Sequence, residues 1–333
     1  MSKFKKQIKK IISLTLVATL IFGTLSLIGC GGSSKSAGGK NFFFTIRDID
    51  DAFRATLQES LESAAKAKGA TITTKYCGLK SDQQVADIKE AVASGKYSAI
   101  ICVPADSSTA LQLELAAGDL PVIFLNNKPD DSVLKPNKYV YVASDEYQAG
   151  RFQAEYMYDL LGKPKEINAI ILMGERNHSG TIGRTEAVKN FFKDNGVNLN
   201  IVFNDYANWS DEEADDYMKL FFKTGQKVDV IFCNNDTMAL GVIKALKEAG
   251  YNTSQIPVAG VDATKEGCQS IANNELNFTV YQNGAKQGEK AIEVAIALAD
   301  KKDTSKIEGI NETKKCFFVD FEKVTKSNVS SYQ

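Results

Sequence analysis

A single histidine and a single tryptophan occur in the 333 residues of this chain. With one histidine, no G-x-S-x-G elbow, no P-loop and no G-x-G-x-x-G behind a strand, the usual equipment of catalysis is missing. Cysteine is scarce and irregularly placed. Apart from Cys30, only Cys77, Cys102, Cys233, Cys268 and Cys316 remain, an odd set that writes neither a disulfide framework nor a zinc site. They read as small buried residues at strand ends. Basic charge is also lacking beyond the start of the chain. The net −1 includes five lysines and no acids before Cys30, which leaves about −6 for the rest, a poor match to nucleic acid.

The first residues form a unit of their own. Lys3, Lys5, Lys6, Lys9 and Lys10 precede an apolar stretch from Ile11 to Ile28 broken only by Ser, Thr and Gly, the charged-then-apolar order of a secretory signal. The stretch is also about long enough to span a bilayer, so an uncleaved anchor is the alternative. The cysteine directly behind a small residue in Leu27-Ile28-Gly29-Cys30 favours the first reading. It resembles a bacterial lipobox, in which the cysteine becomes the lipidated first residue. The expected organisation is a lipoprotein signal peptide at 1–29, lipidation at Cys30 and a flexible tether over 30–40. Both readings put the remainder outside the cytoplasm, lipid-anchored at the outer face of the membrane or periplasmic.

From Asn41 roughly 290 residues follow, more than one core usually serves, so two domains or lobes are expected. Apolar, β-branched runs alternate with helical stretches. "NFFFTI" (41–46) precedes Phe53, Leu57, Leu61 and Ala65 on one helix face, and "ATITTKY" (70–76), "YSAIICV" (97–103) and "PVIFLN" (121–126) continue the series. The pattern restarts with "YVYVAS" (139–144), then "INAIILMG" (167–174), "LNIVFND" (199–205), "VDVIFC" (228–233) and "IPVAGVD" (256–262). Near the end "NFTVYQN" (277–283) and "KCFFVDF" (315–321) flank a helix through Ala291, Val294, Ala295 and Leu298. This repetition predicts an α/β, two-lobed fold, each lobe a mainly parallel sheet with helices on both faces. The expected division is 41–145 plus 283–304 for lobe 1 and 146–282 plus 305–333 for lobe 2.

Ligands of such sheets sit beyond the carboxyl ends of the strands, so the residues just after each apolar run are the candidates. These are Asp50, Asp51 and Phe53, then Asn126 and Asn127, Asp145, His178 and Arg184, Trp209, Asn234 to Asp236, Asp262 and Gln282. Carboxylates, planar amides, one arginine and aromatics suit a polyhydroxylated ligand, because a sugar hydroxyl both donates and accepts. The flat C–H face of a sugar is covered by aromatic rings, and Trp209 can serve as that platform. Ser210 and Glu213 behind it have the capping-box spacing, so "SDEE" reads as a helix start and not as a metal site. Singly, each residue has a plainer reading: Asp51 and Asp236 as N-caps, Arg184 as a solvated cation, Trp209 as core filler. The shared location carries the argument.

On "TIRDIDDAF", "GERNHSGTIGR", "NDYANWSDEEADDYMK", "CNNDTMALGVIKALK", "IPVAGVDAT" and "TVYQN", residues 41–325 resemble the type I periplasmic sugar-binding proteins of ABC importers, and among them the galactose/glucose-binding branch. The resemblance implies ligand contacts from Asp51, Phe53, His178, Arg184, Trp209, Asn235, Asp262 and Gln282, with the sugar closed between Phe53 and Trp209. It implies three hinge segments, near Asp145, near Gln282 and over 305–315. It further implies a monomer that binds a monosaccharide, a hexose such as glucose or galactose, and passes it to an ABC permease without enzymatic chemistry. Three departures stand out: Gly180 where that branch carries Asp, Cys102 where it carries Asn, and "LLGKPKEINAIIL" without the branch's calcium loop, so no metal or cofactor is expected. Each lost hydrogen-bond partner for a buried hydroxyl costs roughly 1–3 kcal/mol, which weakens the case for galactose. Two other readings compete: a sugar sensor presenting bound ligand to a membrane kinase or chemoreceptor, and a glycoside-acting enzyme using Asp51 and Asp262 as acid and base.

Overall fold

Three successive phenylalanines, Phe42, Phe43 and Phe44, are all buried, because helices cover both faces of the strand that carries them. The computed structural model describes residues 40–49 and 51–333. The expected signal peptide, Cys30 and the tether up to residue 39 lie outside the described residues.

The chain begins β1 (Asn41–Ile46), α1 (Ala52–Ala67), β2 (Thr71–Tyr76), α2 (Ser81–Ala93), β3 (Ala99–Cys102), α3 (Ala110–Ala117), β4 (Val122–Leu125) and β5 (Tyr139–Ala143). It continues α4 (Glu146–Leu160), β6 (Glu166–Met173), α5 (Ser179–Asp194), β7 (Asn198–Tyr206), α6 (Asp211–Phe222), β8 (Val230–Cys233), α7 (Asp236–Glu248), β9 (Val258–Ala259), α8 (Lys265–Ala272) and β10 (Thr279–Tyr281). It closes with α9 (Gly284–Ala299), β11 (Cys316–Phe318) and β12 (Glu322–Val324). Among the described residues no helix is long and apolar enough to cross a membrane.

The first lobe is built on a parallel sheet of order β11-β5-β4-β3-β1-β2. Side chains alternate across a strand, so Phe42, Phe44 and Ile46 meet Leu57, Leu61 and Ile292 on one face, while Phe43 packs with Ile88 and Leu113 on the other. A sheet buried on both faces needs such unbroken apolar runs. Its edge strand β2 instead carries Thr and Lys, which keep an exposed edge soluble. The second lobe is a parallel sheet of order β7-β6-β8-β9. There Ile170 and Leu172 pack with α6 and α7 through Met218, Phe221, Val242 and Leu246. Ala169 and Ile171 pack with α4 and α5 through Met157, Val188 and Phe192. The antiparallel pair β10–β12 adjoins this sheet through the bridges Ala259–Phe278 and Asp262–Tyr281.

Two placements differ from the sequence reading. "YVYVAS" does not open the second series: β5 pairs with β4, so it belongs to the first sheet and the crossing follows it at 144–145. Residues 305–333 do not all belong to lobe 2 either. β11 pairs in parallel with β5, burying Phe317 under α9, so the chain returns to the second lobe only over 319–321 and not at 305–315. The other crossing, 282–283, joins β10 to α9, which packs on α1.

The five cysteines after Cys30 are free thiols and all buried, as their apolar surroundings suggest. Burial pushes the Cys77, Cys268 and Cys316 thiols up to about 11.

Candidate functional site

Helix starts position most of the candidate side chains. Asp51 is the N-cap of α1 and accepts from Arg54 N at 2.9 Å. His178 caps α5 by accepting from Gly180 N at Nδ1, 3.0 Å away, and Asn235 caps α7 by accepting from Met238 N at 2.9 Å. Each side chain uses one polar atom as a cap and has a second that the cap does not occupy. Asp236 is not a cap. It is the fully buried first residue of α7, accepts from Thr279 Oγ1 at 2.6 Å and Thr264 N at 2.9 Å, and ties β8 to the segment after β9.

Asp51, Phe53, His178, Arg184, Trp209, Asn235, Asp262 and Gln282, all eight expected residues, line one cavity together with Arg54 and Asn126. Asp51, Phe53, Arg54 and Asn126 come from the first lobe, Gln282 from a crossing, and the remaining five from the second lobe. The free space among these side chains is about 30 Å³, near one water molecule's share and less than a sugar ring needs. Asn126 stood among the strand-end residues but was not among the contacts that the resemblance implied. Arg54 was missed. Its signal was a cation in the first turn of a helix, where the dipole disfavours it unless acids are close, and Asp48 Oδ1 lies 3.3 Å from its Nη2.

Arg184 is the electrostatic centre. Its Nε donates to Glu146 Oε2 at 2.7 Å, Nη1 to the Asn234 carbonyl at 2.6 Å and Nη2 to Gln282 Oε1 at 3.1 Å, while Asp262 Oδ1 lies 3.5 Å from Nη1. Burial raises the Asp262 carboxyl well above the usual range, with Arg184 pulling it back and Asp236 and Asp51 adding to the rise. Burial and the charges of Arg184, Arg54 and Arg47 hold the His178 imidazole down to about 3, so it is neutral at ordinary pH and its Nε2 is the protonated nitrogen. Among the described residues Asp262 Oδ1 and Gln282 Nε2 have no hydrogen-bond partner.

Trp209 combines both of its readings. Its ring belongs to the core cluster that includes Met218 and Met238, and is 7% exposed. It also stands edge-on to His178 at 5.1 Å and 76°, with the Arg184 guanidinium 5.9 Å from its centre. Asn208 and Trp209 both adopt left-handed backbone, φ 49° and 66°, and so do the cavity residues Asn126 at 62° and Asp262 at 113°. Such conformations cost about 1–3 kcal/mol each and gather where a surrounding structure holds a site in place. Only half of the expected capping box forms. Ser210 Oγ accepts from Glu213 N at 3.3 Å, but the Glu213 carboxylate accepts from Asn208 at 2.8 Å instead of returning to Ser210. Gly180 adjoins the site, since a Cβ there would lie 3.2 Å from His178 Nδ1. Cys102 does not reach it: the side chain is buried beside Phe124 and Tyr141 in the core of the first lobe.

The lobes also touch directly beside the cavity. Ser179 N donates to Asn127 Oδ1 at 3.0 Å, Lys128 N donates to Ser179 Oγ at 2.8 Å, and Ser107 Oγ donates to the Asn177 carbonyl at 2.9 Å. Arg47 and Glu175 form an ion pair across the same gap. Among the described residues no group of three or more His, Cys, Asp or Glu is arranged to hold a metal ion.

Residues 42–303 match the family model for the periplasmic binding protein domain. A putative rhizopine-binding protein of Rhizobium meliloti is 30% identical over 305 residues, 90% of this chain and 94% of its own length. A D-galactose/methyl-galactoside binding periplasmic protein of Haemophilus influenzae is 25% identical, over 86% of this chain and 90% of its own. Among solved structures, an ABC transporter solute binding protein from Bacillus halodurans C-125 with bound myo-inositol is similar at a TM-score of 0.79 and 27% identity, over 90% of this chain and 99% of that one. The chain therefore belongs to the periplasmic binding proteins, as a type I sugar-binding protein of ABC importers, and is a binding protein and not an enzyme.

Proposed function

We propose that the protein captures one polyhydroxylated ring of hexose size between its lobes, outside the cell, and delivers it to the permease of an ABC importer while lipid on Cys30 holds it to the membrane. The observation that carries this reading is the chemistry gathered at one cavity from both lobes, with Asp262 Oδ1, beside the Arg184 guanidinium, and Gln282 Nε2 making no hydrogen bond among the described residues. Ring hydroxyls would satisfy both, one donating to the carboxylate and another accepting from the amide. Held by both lobes, the ring stabilises the closed arrangement by its differential affinity for it, and the permease reads that closure.

The myo-inositol bound by the Bacillus halodurans protein favours a second reading within the same class, a cyclitol with a hydroxyl on every ring carbon. Calorimetry with D-glucose, D-galactose, myo-inositol, xylitol and D-ribose tests both. A hexose that binds about tenfold tighter than myo-inositol supports the first reading, and the reverse order supports the second. No heat from any of the five at millimolar concentration removes the proposal.

A further inference from the structure

Behind the cavity a carboxylate outside the expected set holds Arg184. Glu146 accepts from Arg184 Nε, and the two side chains are 7% and 4% exposed. Glu146 is not among the residues that line the cavity. It is the first residue of α4, immediately after the crossing at 144–145.

Two glycines make the contact possible. A Cβ on Gly183 would fall 2.8 Å from Glu146 Cβ, and one on Gly150 would fall 2.1 Å from the Arg184 carbonyl oxygen. Side chains at these positions would force α4 and α5 apart and draw the carboxylate away from the guanidinium. On its other side Arg184 meets Gln282, which lies in the second crossing. The guanidinium is therefore gripped by Glu146, at the start of α4, and by Gln282 in the second crossing, while the Asn234 carbonyl fixes Nη1. A planar fork held at all three nitrogens has one orientation available.

We propose that Glu146 is a positioning residue of the binding site: by holding Nε it sets the aim of the Arg184 guanidinium, so that the remaining donors of Arg184 face the cavity. The effect on affinity rests on the polyol reading above; the effect on Arg184 itself does not.

The test uses Glu146→Gln, which keeps volume and removes charge, and Glu146→Asp, which keeps charge and shortens the reach. In the ligand-free protein, the Arg184 Nε–H resonance, identified by its loss in Arg184→Lys, is expected to be protected from solvent exchange in the wild type and exposed in Glu146→Asp, whose carboxylate falls short of it. With myo-inositol and D-glucose as probes, both variants are expected to bind about tenfold more weakly, with the ratio between the probes moving toward one. Persisting protection in Glu146→Asp overturns the proposal. So does an unchanged probe ratio, or full rescue of both affinities by Glu146→Asp, which would mark a role in packing or charge alone. Should the Gln variant not fold, the Asp variant decides by the same measurements. If the wild type binds neither probe, the polyol reading falls for those compounds and the exchange measurement alone decides the role of Glu146.

Discussion

The indole of Trp209 lies directly against Gly174, where a Cβ would fall 2.1 Å from two of its ring carbons. The end of β6 thus accepts the ring only because it lacks a side chain there. Gly174→Ala is expected to displace the indole and weaken binding even though residue 174 does not line the cavity. Trp209→Ala is expected to cost about 2 kcal/mol or more of binding free energy through lost stacking and buried area. It also removes a core side chain, so its melting temperature falls as well. Because Trp209 is the only tryptophan, its fluorescence reports directly on occupancy during a polyol titration. An unchanged dissociation constant in Trp209→Ala would return the residue to packing alone.

Asp262 presents the opposite balance. Burial disfavours its charged form, so the carboxylate costs stability in the ligand-free protein. Asp262→Asn is expected to leave the melting temperature equal or higher while weakening polyol binding by about 1–3 kcal/mol, the value of a lost hydrogen bond to a charged acceptor. Thermal melts and calorimetry on the same sample separate the two. A variant that loses stability and keeps affinity would show that Asp262 serves the fold.

Two buried groups pull acid stability in opposite directions. His178 is held down to about 3 from an ordinary 6.5, so its contribution is complete above 6.5 and is lost as pH falls from there toward 3. Asp236 is raised by burial to about 7 from 3.8, so its contribution is complete below 3.8 and is lost as pH rises toward 7. Denaturant midpoints across this range are expected to fall less steeply on acidification in His178→Asn, and to fall less steeply toward neutrality in Asp236→Asn. Slopes identical to the wild type would contradict both assignments.

Ser179 bonds across the gap between the lobes without lining the cavity. Ser179→Ala removes the bond from Lys128 N, worth about 1 kcal/mol, and shifts the population toward open lobes. The expected result is a larger radius of gyration without ligand, by X-ray scattering, and weaker polyol binding with unchanged selectivity. A changed selectivity would mean that Ser179 touches the ligand itself.

Much of the molecule is legible in its local sequence patterns. Unbroken apolar runs such as "NFFFTI" and "INAIILMG" mark strands buried on both faces, and Ser210, with a hydroxyl suited to capping, marks the start of α6. These are local signals, set within a few residues of the chain. The eight candidate residues stood within the wider set of strand-end positions, because strand ends of a parallel sheet all point to one side, and the family resemblance singled them out of that set.

Long-range pairing decided the rest. "KCFFVDF" is apolar enough for either sheet, and only the free edge of β5 gave its β11 segment to the first lobe and moved the last crossing to 319–321. Arg54 and Glu146 look like ordinary residues of a helix start. Their places, one in the cavity and one behind Arg184, depend on how closely α1 approaches the second lobe and how closely the glycines let α4 approach α5. Sequence by itself determined which segments become strands and helices and which side chains stand at their ends, because periodicity and capping act over a single turn or pleat. Tertiary structure alone decided which edges pair and which charges meet, because those energies depend on partners far away along the chain.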